Sequence, residues 1–418
     1  MSLKISRIIL SLILLSILSI AAFAEDLVIQ GGTVLTVTNG VIENGSILIK
    51  DGKIAAIGKT VTIPADAEVI NAEGKYIMPG IIDSHSHLAL NGDINEATDP
   101  VTSQVDMADA IDAHDYQIYQ ALAGGVTAAK LMHGSANVIG GLNTTVKLKY
   151  RTSLEEMRIP GVRQQLKMAL GENPKRVYGS KGKQPSTRPG IFATLRQNFL
   201  DAQAYQDKWD TYEKKKAEGE EVSPPRRDLK LETIAKTLSG EYGIDCHNYV
   251  HNEIVVFLDI MKEFNVPYVV MSHSFGAYKV RDRVAEAGVG VQTHTDWWGY
   301  KEEAYDAIPY AIKMMLDEGI VVDICSDSED HIRRLNREAA KMIKYNDMSE
   351  EDALKLITIN PAKILEINNR TGSLETGKDA DIAIFDRHPL DSFSKCVMTL
   401  IEGEVYFDIN TADQTALN

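Results

Sequence analysis

Two histidines one residue apart, His85 and His87, follow the apolar start of the string Ile81-Ile82-Asp83-Ser84-His85-Ser86-His87. Side chains at i and i+2 of a β-strand point the same way, so the two imidazoles stand side by side. In a chain of net charge −15, paired neutral imidazoles have one chemical use that a single one lacks, which is to share a divalent cation. Four more competent groups sit where an apolar run gives way to a loop. Glu172 follows Leu166 to Gly171, His247 follows Ile244-Asp245-Cys246, His273 follows Val269 to Ser272, and Asp327 follows Ile324-Cys325-Ser326. Strand ends of this kind are where barrel enzymes keep their catalytic groups. Each residue alone has an ordinary structural explanation; their convergence in chain order is the signal.

Weaker candidates surround these. His294 and Asp296 lie beside Trp297 and Trp298 after a strand-like run, His133 ends another such run, and Asn137 follows in Gly134-Ser135-Ala136-Asn137. These four are expected as substrate contacts. His251 and His331 are outside choices near the site, and His114 and His388 read as solvated side chains.

The elements that must position these groups alternate short strands with longer helical patterns from residue 80 to 365. Strands are expected at Gly80 to His85, Val126 to Met132, Thr144 to Leu148, Gln165 to Gly171, Tyr242 to Cys246, Val266 to Ser272, Val289 to Thr293 and Val321 to Ser326. Eight βα units in about 285 residues predict an α/β fold with a closed parallel barrel. Hairpin signals, Asn39-Gly40 and Asp51-Gly52, punctuate alternating apolar runs before it, and similar runs return after Asp379. Residues 25–79 and 366–418 are therefore expected to form one small β-sandwich from both termini. An excursion at 173–228 interrupts the barrel pattern after its fourth strand, either as a lid over the strand ends or as a solvated helix pair.

With these residues in view, the chain resembles the metal-dependent amidohydrolase superfamily, in its imidazolonepropionase-like branch. The resemblance rests on Pro79-Gly80-Ile81-Ile82-Asp83-Ser84-His85-Ser86-His87, Leu170-Gly171-Glu172-Asn173-Pro174, Ser326-Asp327-Ser328, Thr358-Ile359-Asn360-Pro361-Ala362 and Gly377-Lys378-Asp379-Ala380-Asp381. It implies a (β/α)8 TIM-like barrel beside a terminal β-sandwich, with one or two divalent metals per chain, zinc first. His85 and His87 would hold one metal, His247 and His273 the second or the rest of the first, and Asp327 would both ligate and move protons. Relatives often bridge two metals from the fourth strand with a carboxylated lysine, for which Lys167 is available. A straight strand would put Lys167 about 16 Å below Glu172, so Glu172 is preferred and Lys167 kept as the alternative. Val250 stands where the branch often has an arginine.

The activity so implied is hydrolysis of an amide, peptide or cyclic amide C–N bond by metal-activated water, with deamination or non-catalytic metal binding as the alternatives. A small-molecule substrate is expected, and homo-oligomerisation stays open. The acidic balance excludes the clustered Lys and Arg that a nucleic-acid footprint needs. Lys4 and Arg7, an apolar run from Ile8 to Ile20, and Ala22-Phe23-Ala24 predict a signal peptide over 1–24, hence an exported, periplasmic or secreted chain with no membrane contact after cleavage. Three scattered cysteines do not make a disulfide framework.

Overall fold

The computed structural model describes residues 26–417, so the expected signal peptide lies outside the described residues. Strands Leu27–Leu35 (β1), Val41–Lys50 (β2), Lys53–Gly58 (β3), Glu68–Asn71 (β4) and Tyr76–Pro79 (β5) precede the barrel. The Asp51-Gly52 turn between β2 and β3 has both residues at positive φ, 48° and 74°, the conformation a tight hairpin demands. After the barrel come Ile382–Phe385 (β14), Cys396–Ile401 (β15) and Glu404–Asp408 (β16), numbered in chain order with the barrel strands. β14 pairs antiparallel with β5, Ile382 opposite Pro79 and Phe385 opposite Tyr76, which joins both termini into the path β16-β15-β14-β5-β1-β2-β3 with β4 on β1. Ile29, Val34, Ile47, Ile54, Ile77 and Ile382 form its apolar core.

The barrel strands are Ile81–Ser86 (β6), Val126–Leu131 (β7), Ile139–Lys147 (β8), Gln165–Ala169 (β9), Gly243–Asn248 (β10), Val269–His273 (β11), Gly290–Thr293 (β12) and Val322–Ile324 (β13). All eight expected strands exist, but not all are parallel. β8 runs antiparallel to both β7 and β9. Only residues 132–138 separate β7 from β8, and a parallel return needs a crossover of about a dozen residues or more. The sheet begins at β13 and ends at β6, and no ladder joins these two edges among the described residues. Ile82 N–H and Ile324 N–H instead donate to the carbonyls of Ile357 and Leu356, at 2.9 and 3.0 Å.

Below the site the barrel interior is polar and paired. Lys130 forms an ion pair with Asp245 and donates to Gln165 Oε1 at 2.7 Å, while Gln292 Nε2 donates to the Ser84 carbonyl at 2.9 Å. Such a network is tolerable because its members find partners within the barrel.

The excursion forms helices Glu172–Gly179 and Arg188–Ala217, followed by Leu229–Ser239. The long helix buries Ile191, Leu195, Phe199, Ala202 and Tyr205. Phe199 packs against Phe264 with centroids 5.0 Å apart. Phe264 ends the helix that leaves β10, at the end remote from the strand termini, so the long helix leans on the barrel flank rather than across its mouth. No helix of the described residues is long and apolar enough to cross a membrane.

Candidate metal centre

His85 near the end of β6, His247 near the end of β10 and His273 at the end of β11 present their rings at one end of the barrel, and His87 and Asp327 follow just beyond β6 and β13. His273 and Asp327 hold φ at 67° and 50°, left-handed values that cost a non-glycine residue free energy and that recur at functional strand ends.

The hydrogen-bond network fixes which ring nitrogens face inward. A carbonyl can only accept, so His87 Nδ1, 2.8 Å from the Met132 carbonyl, carries a proton, and Nε2 is the ring atom that faces Asp327 Oδ1 at 3.1 Å. His294 Nδ1 likewise donates to the Cys325 carbonyl at 3.0 Å, which makes its Nε2 the acceptor for His273 Nδ1–H at 3.1 Å. His273 Nε2 is then bare and faces Asp327 Oδ2 at 4.0 Å. The Ser272 hydroxyl donates to Asp245, so it accepts from His85 Nδ1 at 3.1 Å and leaves His85 Nε2 bare, 3.3 Å from Asp327 Oδ1. Nε2 of three imidazoles thus converges on one carboxylate, an arrangement that a divalent cation would suit.

The electrostatics agree with that set. Burial, then the neighbouring Lys167, pushes His85 down to about 3, and burial holds His247 and His273 well below the usual imidazole value, so all three are neutral donors at pH 7. Burial works against ionisation of Asp327, and its carboxyl falls well below the ordinary value only where N–H groups or positive charge face it on the His273, His85 and His87 side, a role that a divalent cation would fill between neutral rings. His247 Nδ1 is buried with no hydrogen-bond partner, which leaves an orphaned donor atom beside the cluster. Atoms of His85, His87 and Asp327, and of His273, His294 and Asp327, lie mutually within 4.8 Å. The residues present therefore fit a divalent metal.

Several expected site residues lie elsewhere. Glu172 is not among these groups; it opens a helix and faces Lys301 Nζ at 3.4 Å. The strand ends at Ala169 and the chain turns at Gly171, φ 75°, so the straight-strand distance that favoured Glu172 does not apply. Lys167 occupies the fourth-strand position instead, fully buried, with Nζ 3.4 Å from His85 Nε2 and 3.8 Å from Asp245 Oδ1. His133 is spent on backbone: its Nδ1 bonds the Gly134 carbonyl and its Nε2 accepts from Glu96 N–H. Asn137 Nδ2 pins the loop before it through Glu96 O, Asp99 O and Thr102 Oγ1. Asp296 pairs with Lys341 at 2.8 Å rather than lining the site.

His294 does belong, as the group that sets the tautomer of His273; it is stacked on Trp297 at 4.0 Å and 6°. His294→Phe keeps that stack and removes the acceptor. Its expected effect is about 10- to 100-fold weaker metal affinity, read by chelator competition. Sequence reasoning missed Tyr249, whose ring lies parallel to that of His273 at 5.2 Å, although it stands at i+2 from His247. It also missed Asn173, whose Nδ2 is 3.4 Å from His247 Nε2. A cavity of about 680 Å³ opens from His87 and Asp327 past Ser135 toward Asp115 and Glu329, large enough for a small substrate.

The chain is similar to several known proteins. Residues 308–406 match the Amidohydrolase family. A crystallised amidohydrolase from Thermotoga maritima MSB8 is 34% identical, with TM-score 0.83 over 91% of this chain and 100% of that one. The amidohydrolase tasK of Hapsidospora irregularis is 31% identical over 87% of this chain, which spans 40% of that relative's length. Imidazolonepropionase of Thermoplasma acidophilum is 25% identical over 84% of this chain and 85% of its own.

Proposed function

Because the chain belongs to the amidohydrolase superfamily, in its imidazolonepropionase-like branch, and so to a family of hydrolases, we propose that it cleaves an amide, peptide or cyclic amide C–N bond of a small molecule at this centre. The observation that carries the reading is the convergence of the His85, His87 and His273 Nε2 atoms on Asp327, whose side chain is 25% exposed and so within reach of a substrate in the adjoining cavity.

A divalent metal, zinc by the nitrogen-rich donor set, would be held by His85, His87, His247, His273 and Asp327, and when bound it supplies an acidified water and polarises the scissile carbonyl. Lys167 is the proposed fourth-strand ligand in place of Glu172. Burial lowers its ammonium below the usual value, which favours the free amine needed to add carbon dioxide, a C–N bond forming at Nζ as one proton leaves. Asp327 takes a proton on a carboxylate oxygen from the attacking water and returns it to the departing nitrogen. His294 keeps His273 in the required tautomer. We further propose that the first 24 residues direct the chain out of the cytoplasm, as Lys4, Arg7, the apolar run and Ala22-Phe23-Ala24 support.

Metal content tests the reading. Purified wild type should carry near-stoichiometric metal by plasma mass spectrometry, and His85→Ala/His87→Ala should carry less than about a tenth of that. Lys167→Ala should lose metal where Glu172→Gln does not. A wild type that folds and still takes up no zinc, manganese or iron would remove the proposal.

A further inference from the structure

The DxHxH string contains one residue that the chemistry above does not use, Asp83. Its side chain is buried, and every hydrogen bond it makes runs to a segment that carries a site residue. Oδ1 accepts from His85 N–H at 3.2 Å and from Ser326 N–H at 3.0 Å, and Oδ2 accepts from the Ser326 hydroxyl at 2.5 Å. The same hydroxyl accepts from Ser328 N–H at 3.1 Å, which folds the chain tightly around Asp327. Asp327 N–H in turn donates to the His85 carbonyl at 2.9 Å.

These bonds sit where the barrel lacks a ladder. β6 and β13 are the two free edges of the sheet, yet His85 comes from one and Asp327 follows the other. Elsewhere in the barrel, backbone pairing sets the spacing of neighbouring site residues: Asn248 opposite His273 fixes how β10 stands beside β11. Between His85 and Asp327 there is no ladder, and the backbone tie is the Asp327 N–H bond to the His85 carbonyl, which the Asp83 bonds flank. Asp327 also holds φ at 50°, a conformation that persists only where its surroundings impose it.

We propose that Asp83 is the positioning residue for Asp327: one carboxylate, binding the amides of His85 and Ser326 at once, sets the distance across the open seam and holds the Asp327 turn in its left-handed conformation. The inference deepens the reading of Asp327 as proton carrier and rests on it for its functional meaning. A carboxylate suits the task, because two oxygens can accept three hydrogen bonds, and bonds to a charged acceptor are the stronger ones. Both amide bonds end on Oδ1, so an asparagine oxygen there could keep them, whereas alanine or valine removes the acceptor altogether.

Two measurements, neither needing a substrate, test the proposal on wild type, Asp83→Ala and Asp83→Val; the valine variant, which fills the space of the carboxylate, stands in should the first fail to fold. In the metal-free chain, hydrogen–deuterium exchange of the peptide spanning 322–330 should quicken by about ten- to a hundredfold in each variant, with the peptides of β10 and β11 unchanged. Unchanged exchange at 322–330 in a folded variant overturns the proposal. In the cobalt(II)-loaded chain, the visible d–d bands should shift in both variants relative to wild type. Identical bands overturn it too, because a group that merely stabilised the barrel would not move them. A wild type that takes up no cobalt counts against the metal reading of the preceding subsection, while the exchange measurement still decides the role of Asp83.

Discussion

Asp327→Asn should keep the fold and most of the bound metal while lowering kcat on any amide the wild type hydrolyses by roughly 10²- to 10⁴-fold, the usual value of a positioned proton carrier. The argument starts from the backbone. Asp327 sits at φ 50°, and asparagine tolerates that region better than any residue but glycine, so the turn and its N–H bond to the His85 carbonyl should persist. The amide keeps an oxygen that can face His85 and His87. What it loses is basicity: a carboxylate can take a proton and give it up, and an amide oxygen cannot. The loss should appear in kcat with KM little changed, since substrate binding does not require the transfer. Retained turnover would end the assignment of Asp327 as proton carrier. Loss of metal together with turnover would recast Asp327 as a ligand first.

The parts of this site that could be read in advance are those that depend on short periodicities. The i, i+2 spacing placed His85 and His87 together, and the change from apolar run to loop marked His247, His273 and Asp327 at strand ends. What failed depends on where a strand stops or which way it runs. Extending β9 to Gly171 made Glu172 look like the strand-end ligand, whereas the strand ends two residues earlier, the chain turns at Gly171, and Lys167 lies beside His85. β8 shows the same blindness, because alternation of side chains is identical in a parallel and an antiparallel strand; only the short 132–138 link carried the direction. His294 was named for its neighbours, but its role follows from a carbonyl at Cys325 that no local pattern reveals. Asn137 and His133 looked like polar side chains free for substrate because their partners, Glu96 to Thr102, lie in a loop with no periodicity to read.

The Gly377-Lys378-Asp379-Ala380-Asp381 string, which carried much of the family resemblance, turns out to be structural, and Lys147→Met should show it by lowering the unfolding free energy by about 3 kcal/mol. Lys147 ends β8, is 2% exposed, and reaches out of the barrel to Asp379 Oδ2 at 2.6 Å, Glu402 Oε1 at 2.8 Å and Asp381 Oδ1 at 3.2 Å. All three partners lie in the segment that completes the terminal sheet, so one ammonium ties the barrel to it. Methionine fills much the same space without charge. Arg370 at 2.9 Å and Lys53 at 2.8 Å still hold Asp379, and Lys149 at 2.6 Å still holds Glu402, so the group left uncompensated is Asp381, buried and without another cation within 4 Å among the described residues. The pH dependence gives a second readout. Burial opposes the ionisation of Asp379, but Lys147, Lys53 and Arg370 bring it down to about 2, below the ordinary carboxylate value of 3.8. A depressed carboxylate contributes stability above its unfolded value and loses it as pH falls through the folded one, so the wild type surrenders this contribution between about pH 4 and pH 2. The variant has less of it to lose, and the gap between the two denaturation midpoints should narrow over that window. Burial raises Asp381 and Lys147 counters that rise, so in the variant Asp381 is raised further and its protonation on acidification narrows the gap in the same direction. A gap below about 1 kcal/mol at pH 7 would mean that Arg370 and Lys53 suffice and that Lys147 adds little to the junction.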